Sequence, residues 1–150
     1  MAEVPAPGGP AEPRPTRATH DDLRSILGDA RTIAVVGLSS RSDRPSNRVA
    51  RYLQEQGYRI IPVNPNETEV LGEPAHASLT DVTDRIDVVD VFRRAEATPP
   101  IATDAVEVRA RLLWLQSGIV SEEARRIAEE GGVKVVMDRC LMVEHERLGV

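Results

Sequence analysis

The stretch Gly37-Leu38-Ser39-Ser40-Arg41, with Arg44, Pro45 and Arg48 close behind, sets small residues and guanidinium groups directly after an apolar run. A glycine lets the backbone approach a ligand closely. A helix opening at Pro45 presents unpaired N–H groups and the positive end of its dipole. Ser39 and Ser40 are small donors, and Arg41, Arg44 and Arg48 can make forked, charge-assisted bonds to phosphate oxygens. Together these residues predict a phosphate seat at a helix N-terminus.

Four more apolar runs end in the same way. Asn64-Pro65-Asn66, Phe92-Arg93-Arg94, Gln116-Ser117-Gly118 and Asp138-Arg139-Cys140 each follow one of them. The pattern is not the dinucleotide fingerprint, because Gly-x-Gly-x-x-Gly is absent and Gly37 stands alone. An NAD site also places an acidic residue at the end of the second strand, where this chain has Asn64 and then Pro65. Several arginines suit a ligand with more phosphate than NAD carries. Substituting Gly37 by valine is expected to obstruct that ligand and leave a folded protein.

The elements that must position these residues alternate. Thr32–Val36, Arg59–Val63, Ile86–Phe92, Arg111–Leu115 and Val133–Met137 read as strands, mostly continuous apolar runs of the kind buried on both faces. Helices are predicted from a Thr19 cap to Gly28, from Pro45 to Gln56, from Pro99 to Ala110, and from a Ser121 cap to Glu130. Residues 64–85 form a connector with a helical turn near Leu79. The alternation predicts an α/β fold, a single doubly wound domain over residues 18–150. Its sheet is five-stranded and mainly parallel, with expected order 3-2-1-4-5. Ligands of such sheets bind beyond the carboxyl ends of the strands. Residues 1–17, rich in Pro, Gly and Ala, are expected to be a disordered tail.

At 150 residues and a net charge of -5, with acidic and basic residues interspersed, the chain offers no footprint for nucleic acid or an anionic membrane. It has one cysteine and no apolar stretch near the length of about 20 residues that spans a bilayer. No signal-peptide layout opens it, so a cytoplasmic location is expected. His20, His76 and His145 show no metal or triad spacing and read as surface residues. Asp87 and Asp90 are anomalous in a buried strand. Asp138 reads as a cap or salt-bridge residue, and Trp114 as packing.

The blocks GLSSRSDRPSNRVARYL, GYRIIPVNP, VLGE, VDVFRR, LWLQSGI and VVMDRC occur in this order. They resemble the small stand-alone CoA-binding proteins, which are similar to the nucleotide-binding domain that opens the succinyl-CoA synthetase alpha subunit. The resemblance covers about residues 20 to 148. It implies a Rossmann-like domain that binds coenzyme A or an acyl-CoA. By position it places phosphates near Gly37, Ser39, Ser40 and Arg41, with Arg44 and Arg48 nearby. Asn64 and Pro65 fall by the adenosine, and Phe92, Arg93 and Arg94 in the cleft. Gln116, Ser117 and Gly118 fall on the far side, by the pantetheine arm. The family often has a lysine shortly after the DRC block; here the residues are Leu141 and Met142. Cys140 reads as a partly buried small side chain, and its place at this edge also allows a mixed disulfide with the CoA thiol.

The resemblance supplies no reaction, since the synthetase's phosphorylated histidine belongs to a further domain. The leading expectation is a non-catalytic module that senses, stores or protects CoA or an acyl-CoA, with no protein partner identified from the sequence. The alternatives are an NAD(P)-dependent oxidoreductase, a partner-dependent acyl-CoA ligase component, or a regulatory subunit with a vacated pocket.

Overall fold

The computed structural model describes residues 18–150, and the expected tail at residues 1–17 lies outside them. Helix α1 (His20–Asp29) begins with a reciprocal cap: the Thr19 hydroxyl accepts from the Asp22 N–H at 3.1 Å, and the Asp22 carboxylate accepts from the Thr19 N–H at 2.9 Å. There follow β1 (Thr32–Val36), α2 (Pro45–Glu55) and β2 (Arg59–Val63). The connector holds a small antiparallel pair, β3 (Glu69–Val70) and β4 (Glu73–Pro74), and a 3₁₀ turn at Leu79–Asp81. The chain continues with β5 (Val88–Val91), a 3₁₀ turn at Ala95–Ala97, α3 (Thr98–Glu107), β6 (Leu112–Leu115), α4 (Glu122–Glu130), β7 (Lys134–Val136) and α5 (Leu141–Leu148).

The main sheet is five-stranded and all parallel. Its order, β2-β1-β5-β6-β7, corrects the expected 3-2-1-4-5: counted along the five main strands it is 2-1-3-4-5. The reason lies at the outer edge of β2, which its own connector occupies. The Asn64 N–H donates to the His76 carbonyl at 2.8 Å, and the His76 N–H donates to the Pro62 carbonyl at 3.0 Å. β5 therefore takes the free edge of β1. Asp87 secures it there, its carboxylate accepting the Arg31 and Thr32 N–H groups at 2.8 and 3.2 Å. Of the two anomalous aspartates, Asp87 thus lies before the strand and is fully used; Asp90 lies within it.

One sheet face packs α1, α2 and α5 through Leu27, Leu53 and Leu141 against Ile33, Val35, Ile60 and Trp114. The other packs α3 and α4 against Ala34, Val89, Leu113 and Val135 through Ala102, Ala105, Ala124 and Ala128, whose small side chains let the helices approach the sheet closely. Helix α3 stops at Glu107, short of the expected Ala110, where Arg109 turns to φ +61°.

Helix α5 corrects the reading of His145 as a surface residue. Leu141, His145 and Leu148 share its buried face. The His145 ring meets the rings of Tyr52 and Tyr58 edge-on, and its Nδ1 lies 2.8 Å from the Tyr52 hydroxyl. Burial holds its pKa below the ordinary 6.5, against the opposing pull of Glu146. The unfolded chain therefore takes up a proton at His145 sooner than the folded chain does. Stability from this group is present above pH 6.5 and is lost as the pH falls below it. In urea titrations, His145→Phe should lose this part of the acid-side slope; an unchanged slope would contradict the assignment.

Candidate functional site

The five loops beyond the carboxyl ends of the parallel strands lie along one edge of the sheet. The first is braced from within. The Ser39 N–H donates to the Ser46 hydroxyl at 3.1 Å, the Arg41 N–H to the Ser39 hydroxyl at 3.1 Å, and the Asn47 side-chain amide to the Ser39 carbonyl at 2.8 Å. Arg51 completes the brace, donating to Asn47 Oδ1 at 2.9 Å and to the Ser42 carbonyl at 3.1 Å. The Ser40 N–H is bound by the carboxylate of Glu67 at 2.9 Å. The backbone donors of Ser39 and Ser40 are therefore engaged within the protein. An acidic side chain already sits at this turn.

Gly37 is needed for the fold itself. Its φ is +89°, and a Cβ there would lie 2.5 Å from the Phe92 carbonyl oxygen and 3.1 Å from Arg93 Cδ. The close approach is between two loops of this chain, so the expectation that Gly37→Val spares the fold is corrected. Asn64 is likewise structural: its Nδ2 donates to the Leu38 carbonyl at 3.0 Å, and its Oδ1 accepts the Asn66 N–H at 2.9 Å. Arg41 pairs with Asp43 at 3.1 Å on the surface, and Arg44 stands exposed at the N-cap of α2.

The remaining candidates converge. A cleft of about 750 Å³ is bordered by Arg48 from α2, by Phe92, Arg93 and Arg94 after β5, and by Gln116, Ser117 and Gly118 after β6. Val49, Ile119, Met142 and Cys140 add apolar wall and a thiol. A second cavity of about 180 Å³ is lined by Val36, Val63, Pro65 and Ile101, and Arg93 borders both. The lining thus combines three guanidinium groups with apolar side chains. Gly37, Ser39, Ser40, Arg41, Arg44 and Asn64 do not line the cleft; they shape the loop beside it.

The far wall is cross-braced. The Gly118 N–H donates to the Asp138 carboxylate at 2.7 Å, and the buried Trp114 indole N–H to the Arg139 carbonyl at 2.8 Å. These bonds tie the loops after β6 and β7 together and leave Trp114 a packing residue. Beneath the cleft, Asp90 is fully buried. Its Oδ1 accepts from Gln116 Nε2 at 2.6 Å, and its Oδ2 has no partner. Burial pushes its pKa up to about 7, with the Gln116 bond acting the other way.

Sequence reasoning did not single out Glu67, the Ser46–Asn47–Arg51 brace or the Asp90–Gln116 pair. Only Asp90 gave a signal, as a carboxylate in an apolar strand. Among the described residues no group of three His, Cys, Asp or Glu is placed to hold a metal ion, and no helix is long and apolar enough to cross a membrane.

Comparison with known proteins agrees with this fold. The CoA binding domain family matches residues 31–146. An uncharacterized protein of Bacillus subtilis, YneT, is 45% identical over 124 residues, covering 83% of this chain and 92% of the relative. A Thermus thermophilus structure, cell-free ID.343, superposes with a TM-score of 0.83 at 46% identity, covering 87% of this chain and 98% of that one. An ADP-forming acetate–CoA ligase of Archaeoglobus fulgidus is 24% identical over 121 residues, and the match spans 18% of the ligase and 74% of this chain. With the family match running from β1 to α5 and a relative 45% identical over 83% of this chain, the chain belongs to the CoA-binding domain family.

Proposed function

We propose that this protein binds coenzyme A or an acyl-CoA across the carboxyl edge of its sheet, and that binding rather than a reaction is its task. The observation that carries the reading is the cleft whose lining combines Arg48, Arg93 and Arg94 with apolar Val49, Ile119 and Met142. A polyphosphorylated head with a long, weakly polar arm fits that combination. In this reading the smaller cavity by Pro65 takes the adenosine, and Arg93, which borders both spaces, meets phosphate between them. The histidines lie elsewhere: His20 opens α1, His76 pairs with β2, and His145 lies on the buried face of α5. This placement supports binding without histidine acid–base chemistry at the cleft.

Glu67 gives the reading a signed test. Arg48→Ala or Arg93→Ala should weaken CoA binding by roughly 1–3 kcal/mol each, the range for a charge-assisted bond. Glu67→Gln should strengthen it, because a carboxylate on the Ser40 N–H repels an incoming phosphate. Calorimetry on the three variants checks both signs. Unchanged affinity in both arginine variants would place the phosphates elsewhere.

A further inference from the structure

Alternate residues of β5 point to opposite faces of the sheet. Val88 belongs to the core under α1, α2 and α5, and Phe92 packs against it, so Asp90 faces the same way. Its register partners on the neighbouring strands are Val35 and Trp114, and the helices over this face bring Val49, Leu53 and Leu141. None of these is charged. A carboxylate there is costly, and its one hydrogen bond goes to a residue that borders the cleft. Gln116 Oε1 makes no hydrogen bond among the described residues. A side-chain amide carries a donor and an acceptor and can turn about its last bond; whichever end is bound inside, the other is left for a ligand.

We propose that Asp90 is a positioning residue for the ligand arm: it takes Nε2 of Gln116 and so fixes Oε1 as an acceptor for an amide N–H of a peptide-like chain. The inference rests on the reading of the cleft as a CoA site and adds which chemistry its far wall selects. An ionised Asp90 can only accept, which holds Gln116 in this sense. A neutral carboxyl carries an O–H that can donate to Oε1 instead, turning the amide and withdrawing the acceptor. The preference for an amide-bearing arm is therefore linked to the ionisation of Asp90, which burial brings into the neutral range. The charged groups beyond Gln116 are those of the cleft: Arg48 from α2, and Arg93, Arg94 and Glu96 after β5.

The test compares CoA with adenosine 3′,5′-bisphosphate, which has the nucleotide and lacks the arm. The 5′-phosphate of the bisphosphate is a monoester with a second pKa of about 6, which the CoA pyrophosphate lacks, so the readout is the wild-type affinity ratio divided by that of Asp90→Asn, which meets the same phosphates and cannot titrate at this position. That quotient should rise severalfold between about pH 6 and pH 8, across the neutral range in which Asp90 ionises. Gln116→Met should lower CoA affinity about fivefold at about pH 8, the worth of one hydrogen bond, and leave the bisphosphate unchanged. A wild-type ratio that changes with pH in parallel with that of Asp90→Asn, or equal loss of both ligands in Gln116→Met, would overturn the proposal with the CoA reading intact. A wild type that binds neither ligand would overturn both.

Discussion

Asp90→Asn should make the protein more stable above neutral pH and flatten its stability between about pH 4 and pH 7. The folded chain holds the Asp90 proton up to about pH 7, whereas the ordinary value is 3.8. Between those limits the folded state binds a proton that the unfolded state has released. Stability from this group is full below pH 3.8 and declines as the pH rises to about 7, by at most roughly 4 kcal/mol. Above about pH 7 the wild type keeps a buried charge with Oδ2 unpartnered. The amide introduced by Asp90→Asn accepts the same Gln116 bond without that charge, so a gain of roughly 1–3 kcal/mol at about pH 8 is expected. His145 slopes the opposite way and is present in both proteins, so the difference between their urea curves isolates Asp90. Parallel curves from about pH 5 to pH 8 would mean that Asp90 ionises as an exposed carboxylate does. A residue kept against this cost fits a role in the cleft.

Gly37→Val should cripple the fold before it reports on any ligand. The position has φ +89°, and the new Cβ would meet the Phe92 carbonyl oxygen at 2.5 Å. That carbonyl cannot easily retreat, since the Phe92 N–H is tied to the Val36 carbonyl at 2.8 Å and the Gly37 N–H to the Val63 carbonyl at 2.8 Å. Left-handed strain and a backbone overlap together should cost roughly 3 kcal/mol or more. Thermal melts of the valine and alanine variants check this, with both expected well below wild type. A valine variant that melts like wild type and has lost CoA binding would restore the view that Gly37 faces the ligand.

The helices and strands were legible because each has its own pattern: TIAVV and RIIPV are continuous apolar runs, and Val49, Ala50 and Leu53 recur at helical spacing. Strand order was not, because β5 and the connector compete for edges through backbone bonds from His76 to Pro62 and Asn64, which no side-chain pattern encodes. Helix α5 had its signal in Leu141, His145 and Leu148, but the histidine masked the apolar face. At the site, residue types drew attention to the right edge of the sheet, where Arg48, Phe92, Arg93, Arg94, Gln116, Ser117 and Gly118 meet. What they could not tell is which polar groups are used within the chain. Asn64 looks like a ligand contact in sequence and is a staple between loops in the structure. Glu67 reaches back 27 positions to Ser40, and Gln116 reaches back 26 to Asp90; neither distance belongs to a local motif.

If the cleft recognises coenzyme A through its phosphates and its arm, affinity must fall when the 3′-phosphate is removed and again when the arm is replaced by a second nucleoside. Calorimetric titration of the purified protein with CoA, dephospho-CoA and NADH reads this out. Micromolar binding of CoA, weaker binding of dephospho-CoA and none of NADH are expected. Binding of NADH with none of CoA would contradict the reading and point to a hydride-transfer site.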